Sequence, residues 1–360
     1  MTISSADSGA LSLGVQTPFT DYFRALPKTI PLPTFYRADQ RDMLTGTSLS
    51  EALEQKLSSL EREFEYLREQ TLAIDWCKKC WWDDKNGILT FDDWKLCDAL
   101  YRSRALELPG GIGDAMVPVL DMANHAADER YKARFDIEAT DGNVQLLVRE
   151  GRNITEKEEI HITYGCGGAS EMIFSYGFLE EKVQSAREMF LSLPAPEDDP
   201  LRLAKMHFSR EAPGVRIYLD AQGGAQFDSD FVWWLCVNEE DGLDFEVMQT
   251  IDGKRELQAL WKNSILDPVN LKDTLMKDER RDIFLLRAVV TVQARVEQQG
   301  EELSVTQQTF DDALPQISSD EDKYIYRTIR DLRELELNLL TSTFSALESQ
   351  VRIRRLIDFA

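Results

Sequence analysis

Apolar positions along this chain follow three textures. Up to about residue 105 the period is helical. Leu53, Leu57, Leu60, Phe64 and Leu67 step by four and three, which predicts one long helix with a single buried face. Ser50 ahead of Glu51 supplies its N-cap. A second helix is predicted over 92–105, with Trp94, Cys97, Leu100 and Tyr101 facing inward. Ahead of both, Pro18, Pro27, Pro31 and Pro33 are mixed with aromatics, the signature of an extended, packed connector. Residues 1–16 are small and polar, a frayed terminus.

From about 115 to 180 the runs shorten and become β-prone, at 116–119, 134–139, 144–149 and 159–164. Turn signals at 128–129, 140–143 and 151–153 separate them. Ile160, Ile162 and Tyr164 alternate with His161 and Thr163, as in a half-exposed strand. Beyond Glu180 the helical period returns. Asp199-Pro200 reads as an N-cap followed by proline at the first helical position. Residues 215–219 form one arm of a hairpin around the turn 220–224, and 231–237 is a buried apolar element. From Phe245 onward amphipathic helices are expected, with faces such as Leu285, Val289, Val292, Val296 and Leu332, Leu335, Leu339, Leu340. No internal repeat is visible. The predicted architecture is α+β: residues 17–190 hold a β-rich core (about 115–180) with a helical insert (about 36–105), and 191–360 form a mainly α C-terminal domain. The acidic, proline-containing stretch 192–199 is the expected linker.

Composition narrows the function. The chain has 64 acidic and 41 basic residues, a formal charge of -23. Nucleic-acid affinity rests on Lys and Arg, so this balance argues against direct nucleic-acid binding. A basic protein partner fits this field, and so does a merely solubilising acidic surface. Five cysteines without a regular framework point to a reducing compartment. No apolar run reaches membrane-spanning length and no secretory leader is visible, so a cytoplasmic or nuclear protein is expected.

The chemistry concentrates in two motifs. The first is Val117-Pro118-Val119-Leu120-Asp121-Met122-Ala123-Asn124-His125. The second is Glu158-Glu159-Ile160-His161-Ile162-Thr163-Tyr164-Gly165 followed by Ser175-Tyr176-Gly177-Phe178. Taken singly, Asn124-His125 also suits a turn at a strand end, Tyr164 and Tyr176 suit core aromatics with a polar handle, and Glu158-Glu159 suit a solvated turn. In this order and spacing the motifs resemble the SET domain of protein-lysine methyltransferases. Ser103-Arg104-Ala105, seventeen residues ahead of Asp121, is similar to a segment of the Rubisco large-subunit methyltransferase subgroup. The resemblance spans about residues 17 to 180. It implies S-adenosylmethionine as cofactor, held by Arg104, Asp121, Asn124 and His125. It implies Tyr164 as the catalytic tyrosine beside the target amine, and Tyr176 and Phe178 as lining for the lysine channel. It also implies a threaded core where the Asn124 and Tyr164 segments meet, and a helical domain that receives a protein substrate bearing the target lysine. Methyl transfer to an amine is an in-line displacement that needs positioning and a water-poor channel more than acid–base machinery, so these residue types suffice.

Two positions depart from the family. Its N-terminal Gly-x-Gly strand segment has no match before the helical insert, because Gly111-Ile112-Gly113 follows a helix. Ala169 stands where the family often has Asn. These departures keep two alternatives open: a catalytically inactive SET-like protein-binding module, or an N-terminally truncated methyltransferase. Other chemistries find less support. Cys77-x-x-Cys80 with Cys97 suggests zinc but lacks a fourth ligand, so no metal is expected. Histidine occurs three times, without a His-Glu-x-x-His arrangement.

Overall fold

The computed structural model describes residues 18–357, apart from 84–86, 88, 128–129, 139–141, 181–182, 184, 210–211, 250–252 and 314–318. The turn signal at 128–129 and part of that at 140–143 lie outside the described residues. The chain forms two compact units, one of residues up to 42 with 49–182, the other of 43–48 with 183 onward.

The first unit opens with α1 (Thr20–Ala25), α2 (Ala38–Asp42) and the long α3 (Ser48–Thr71). A short α4 (Asp75–Cys77) runs into a π-helical turn (Lys78–Trp82), and α5 (Phe91–Arg104) closes the insert. Leu53 and Leu60 of α3 are buried, as the period predicts. Phe64 on the same face meets Trp82, Phe91 and Trp94 at ring-centroid distances of 5.6, 5.7 and 6.5 Å. α5 begins at a capping box in which Thr90 and Asp93 bond each other's backbone N–H, satisfying donors that a helix start leaves open.

The β core follows. β1 (Leu106–Leu108) and β2 (Gly113–Ala115) form an antiparallel hairpin. Its turn places Gly110, Gly111 and Gly113 at φ 81°, 75° and 92°, a region that L side chains rarely enter. Gly111-Ile112-Gly113 is thus the tip of this hairpin. β4 (Ala133–Ile137) pairs antiparallel with β5 (Val144–Val148). β3 (Asn124–His125) pairs parallel with β6 (His161–Ile162). That pairing sets the two motifs side by side. Leu106, Leu108, Leu120, Ala133 and Ile162 form the core beneath them, with Val117, Phe135 and Tyr164 packed against it. α6 (Ala169–Tyr176) ends the unit's regular structure.

The second unit holds two three-stranded antiparallel sheets. One has the order β7 (Glu188–Ser192), β8 (Gly214–Leu219), β9 (Ala225–Asp228); the other β10 (Leu243–Gln249), β11 (Arg255–Trp261), β12 (Ser264–Leu266). The helices α7 (Arg202–Phe208), α8 (Phe231–Leu235), α9 (Leu271–Met276), α10 (Arg281–Val305), α11 (Gln307–Ala313) and α12 (Asp320–Ile357) supply the rest. Val289, Val292 and Val296 of α10 and Leu332, Leu335, Leu339 and Leu340 of α12 are buried, on the faces their spacing predicts. Residues 43–48 join this unit through buried polar bonds. Arg333 donates to the Thr45 carbonyl at 2.8 Å and the Leu303 carbonyl at 2.7 Å. Gln299 donates to the Gly46 carbonyl at 2.7 Å, and Glu336 accepts from both the N–H and the hydroxyl of Ser48.

Several local expectations change. The prolines at 18 and 27 bracket a proline-free stretch, and α1 forms there in place of an extended connector. Residues 116–119 are not a strand. Pro118 has no N–H to donate, and Val119 turns to φ 75° while 79% exposed, a costly conformation for a β-branched residue. The strand of 159–164 shrinks to His161–Ile162, between left-handed Lys157 (φ 67°) and Gly165 (φ 107°). α3 begins at Ser48, so Ser50 lies inside it. α7 begins at Arg202, and Asp199 serves it from outside by accepting from the Leu201 N–H at 2.8 Å. Phe245 falls in a strand instead of a helix. No described helix is long and apolar enough to cross a membrane.

Candidate functional site

Five short stretches of the first unit supply the candidate residues. The last turn of α5 carries Arg104, the 3-10 turn Leu120–Met122 carries Asp121, and β3 carries Asn124 and His125. Tyr164 follows β6, and Tyr176 ends α6. Gly177 closes α6 in a left-handed conformation (φ 79°), its N–H reaching back to the Met172 and Ile173 carbonyls. A Cβ there would stand 2.9 Å from the Pro31 carbonyl oxygen, so the Tyr-Gly-Phe motif needs its glycine to reverse the chain. The reversal brings Phe178 back beside β3.

Arg104 and Asp121 form one cluster. The guanidinium donates to the Asp121 carbonyl at 3.1 Å and stands 3.6 Å from its carboxylate, whose side chain is fully buried. The Tyr22 hydroxyl donates to the same carboxylate oxygen that faces Arg104, Asp121 Oδ2, at 2.5 Å. Among the described residues, Nε of Arg104 and Oδ1 of Asp121 are buried without a hydrogen-bond partner. Buried polar atoms are nearly always paired, and here two exceptions fall on one Arg–Asp pair.

His125, Tyr164, Tyr176 and Phe178 form an aromatic cluster. Ring centroids lie 4.6 Å apart for Tyr164 and Tyr176, 5.2 Å for His125 and Tyr164, and 5.9 Å for His125 and Phe178. The Tyr164 hydroxyl donates to the Ala123 carbonyl at 2.8 Å. Burial holds that hydroxyl above the ordinary tyrosine range; neighbouring Arg104 opposes the shift, and Tyr176 and Asp121 reinforce it. Burial, then Glu171 and Asp114, raise Tyr176 as well. Both phenols therefore remain protonated donors at neutral pH. His125 is held at both ring nitrogens: the Tyr164 N–H donates to Nδ1 at 3.0 Å, and Nε2 lies 3.0 Å from Glu180 Oε1.

Asn124 stands apart from this cluster. Successive strand residues point to opposite faces, and its amide donates to Glu159 Oε1 at 2.6 Å on the exposed side. His161, opposite Asn124 in the parallel pair, lies 3.6 Å from the same carboxylate. Glu158 is no free turn residue either. Its bond to Lys132, with the Thr155 backbone and hydroxyl adding to it, lowers its carboxyl to about 2. Ala169 is buried at the first turn of α6, and Cys77 is buried at the end of α4. No group of three or more His, Cys, Asp or Glu side chains with metal-binding geometry occurs among the described residues.

The sequence motifs did not single out Tyr22, Glu159 or Glu180 as site residues. Tyr22 was hidden in the proline-rich stretch. Glu180 lies two residues beyond Tyr-Gly-Phe, and its signal was an acid placed just beyond a chain reversal.

No family model matches the chain. Curated relatives do. It is 29% identical over 289 residues to SET domain-containing protein 8 of Schizosaccharomyces pombe, covering 77% of this chain and 62% of that protein. It is 21% identical over 238 residues to the chloroplastic ribulose-1,5-bisphosphate carboxylase/oxygenase large subunit N-methyltransferase of Nicotiana tabacum, covering 64% and 47%. The chain thus spans less than two thirds of either relative's length. Among solved structures, the SET domain of LSMT bound to methyllysine and AdoHcy superimposes with a TM-score of 0.63 at 14% identity, over 98% of this chain and 75% of that one. Rubisco LSMT bound to AdoMet gives 0.59 at 15% identity, over 93% and 72%. The chain has the SET-domain fold. Within that fold class, it resembles the Rubisco large-subunit methyltransferase type.

Proposed function

We propose that the chain is an S-adenosylmethionine-dependent protein-lysine N-methyltransferase, transferring a methyl group to the lysine amine of a protein substrate. The observation that carries this is the adjacency of the two clusters. A largely buried Arg104–Asp121 pair with unused hydrogen-bonding capacity lies close to a four-ring aromatic cluster that the β3–β6 pairing helps assemble. The residues fit the cofactor chemically. A zwitterionic nucleoside sulfonium calls for a cation, an anion and polar backbone together, and Arg104, Asp121 and the Asn124-His125 segment would hold it. When bound, it supplies a methyl group on a positively charged sulfur.

The chain's own residues do the remaining work. Tyr176 and Phe178 wall a channel whose aromatic faces suit the aliphatic stem of a lysine. Their desolvating surroundings disfavour the charged ammonium and so favour the neutral amine that must attack. The Tyr164 hydroxyl, kept protonated by burial, is a fixed polar group that orients the amine. We assign recognition of the substrate protein to the C-terminal part, 191–360, with the acidic balance of the chain favouring a lysine-rich segment.

A second reading, a protein-binding module without activity, is favoured by Tyr22, which already donates to Asp121. Calorimetric titration of the purified chain with S-adenosylmethionine separates the two. Saturable one-to-one binding is expected; a folded chain that binds none would favour the module. Tyr164→Phe should then lower turnover about 100-fold, as loss of one positioned polar group does, with cofactor affinity nearly intact. Unchanged turnover would remove Tyr164 from its role.

A further inference from the structure

We infer that Glu180 is a positioning residue that locks the tautomer of His125 and thereby fixes Tyr164. The inference rests on the methyltransferase reading of the site for its purpose, though not for its geometry. A backbone N–H can only donate. The Tyr164 N–H points at His125 Nδ1 at 3.0 Å, so that nitrogen carries a lone pair and no proton. The ring proton of the neutral imidazole is then on Nε2, where it donates to Glu180 Oε1 at 3.0 Å. Both side chains are almost fully buried, at 4% and 6% exposure. Water therefore cannot stand in for either contact.

The alternative tautomer would set an Nδ1–H against the Tyr164 N–H, two donors face to face, and would leave Glu180 facing a lone pair. The carboxylate thus selects one tautomer through the ring, and the ring holds the backbone at Tyr164. That backbone bond sits at the root of the side chain whose hydroxyl reaches the Ala123 carbonyl and whose ring lies against Tyr176. Three contacts that define the aromatic cluster therefore depend on a residue lying two positions beyond Phe178. The lock also crosses the parallel β3–β6 junction, because His125 belongs to one strand and Tyr164 follows the other.

The chain contains three histidines, so selective 15N-histidine labelling of the full chain gives an assignable spectrum. Wild type should show a pyrrole-like Nε2 and a pyridine-like Nδ1 at His125. Glu180→Met, similar in length but without an acceptor, should shift His125 toward mixed tautomers. It should also speed exchange of the Tyr164 amide about tenfold, the loss expected for one hydrogen bond, and weaken S-adenosylmethionine binding by a similar factor. Glu180→Gln keeps an acceptor oxygen and should restore the tautomer and bring affinity within about threefold of wild type, since it retains the neutral form of the same hydrogen bond. Glu180→Met with a wild-type His125 spectrum and amide exchange would overturn the lock, as would a shifted tautomer with unchanged affinity. Wild-type chain that shows the locked tautomer but binds no S-adenosylmethionine would instead bring down the reading of the site. Should Glu180→Met fail to fold, a wild-type tautomer other than Nε2–H, or a Glu180→Gln chain that loses it, overturns the lock by itself.

Discussion

Each unit buries an arginine beside a carboxylate, and the two arrangements differ in how completely they are satisfied. In the second unit Arg333 donates to Thr45, Leu303, Thr306 and Gln307, Glu336 accepts twice from Ser48, and none of their buried side-chain atoms lacks a partner. In the first unit Arg104 and Asp121 are close, yet each keeps one buried polar atom unpaired among the described residues. A closed network specifies structure, because every capacity is spent on the fold itself. An open one leaves capacity for something outside the chain. Of these two clusters, only the Arg104–Asp121 pair keeps hydrogen-bonding capacity in reserve.

The largest expected effect lies in the closed network. Arg333→Met strands several buried carbonyls and removes the charge facing Glu336, and should cost about 3–5 kcal/mol of stability by urea unfolding. A cost below about 1 kcal/mol, the range of an exposed pair, would show that the network is not structural. Next comes a pH effect. Burial outweighs the Ser48 bonds and raises the Glu336 carboxyl to about 7. The folded state therefore holds this proton where the unfolded chain, with an ordinary value near 4.5, has released it. The stabilisation is complete below about 4.5 and lost as pH rises through about 7, a change on the order of 3 kcal/mol from this group. Glu336→Gln should flatten that part of the profile; an unaltered slope would assign the titration elsewhere.

The open pair should behave the other way round. Asp121→Asn is expected to weaken S-adenosylmethionine binding about 100-fold, as loss of a buried charge contact does, while stability changes by about 1 kcal/mol or less, because the carboxylate is incompletely paired in the fold. A large stability loss with intact binding would reverse the comparison. The smallest effect is assigned to Tyr22→Phe. Removing one donor from Asp121 should weaken cofactor binding roughly threefold, within the range of a single hydrogen bond. Tighter binding would show that Tyr22 competes with the cofactor at Asp121.

Much of the candidate site could be read from the sequence because its residues lie in short, spaced motifs. Arg104, Asp121, His125, Tyr164, Tyr176 and Phe178 all fall within the first unit, with the rings in contact and the Arg–Asp pair beside them. Asn124 was visible as a motif residue, but its side-chain direction depends on strand alternation and on Glu159, 35 residues away. Tyr22 and Glu180 were not legible as site residues. Each acts through a single contact to a residue far along the chain, and such a contact leaves no period. The missed sheet β10–β12 is a different case. Leu243, Phe245 and Val247 alternate with Asp244 and Glu246, a period-two signal. The helical patterns that follow it masked that alternation. Residues 43–48 carry no pattern that would assign them to the second unit, since backbone groups supply most of their bonds.

That early segment has a consequence for synthesis. Ser48 and its acceptor Glu336 are 288 residues apart. At about 5–20 residues per second, Ser48 is made roughly 15 to 60 s before the carboxylate that will bury it. The nascent chain must carry Thr45, Gly46 and Ser48 with their polar backbone exposed for that whole interval. Helix α12 therefore completes a contact whose other half was made 288 residues earlier.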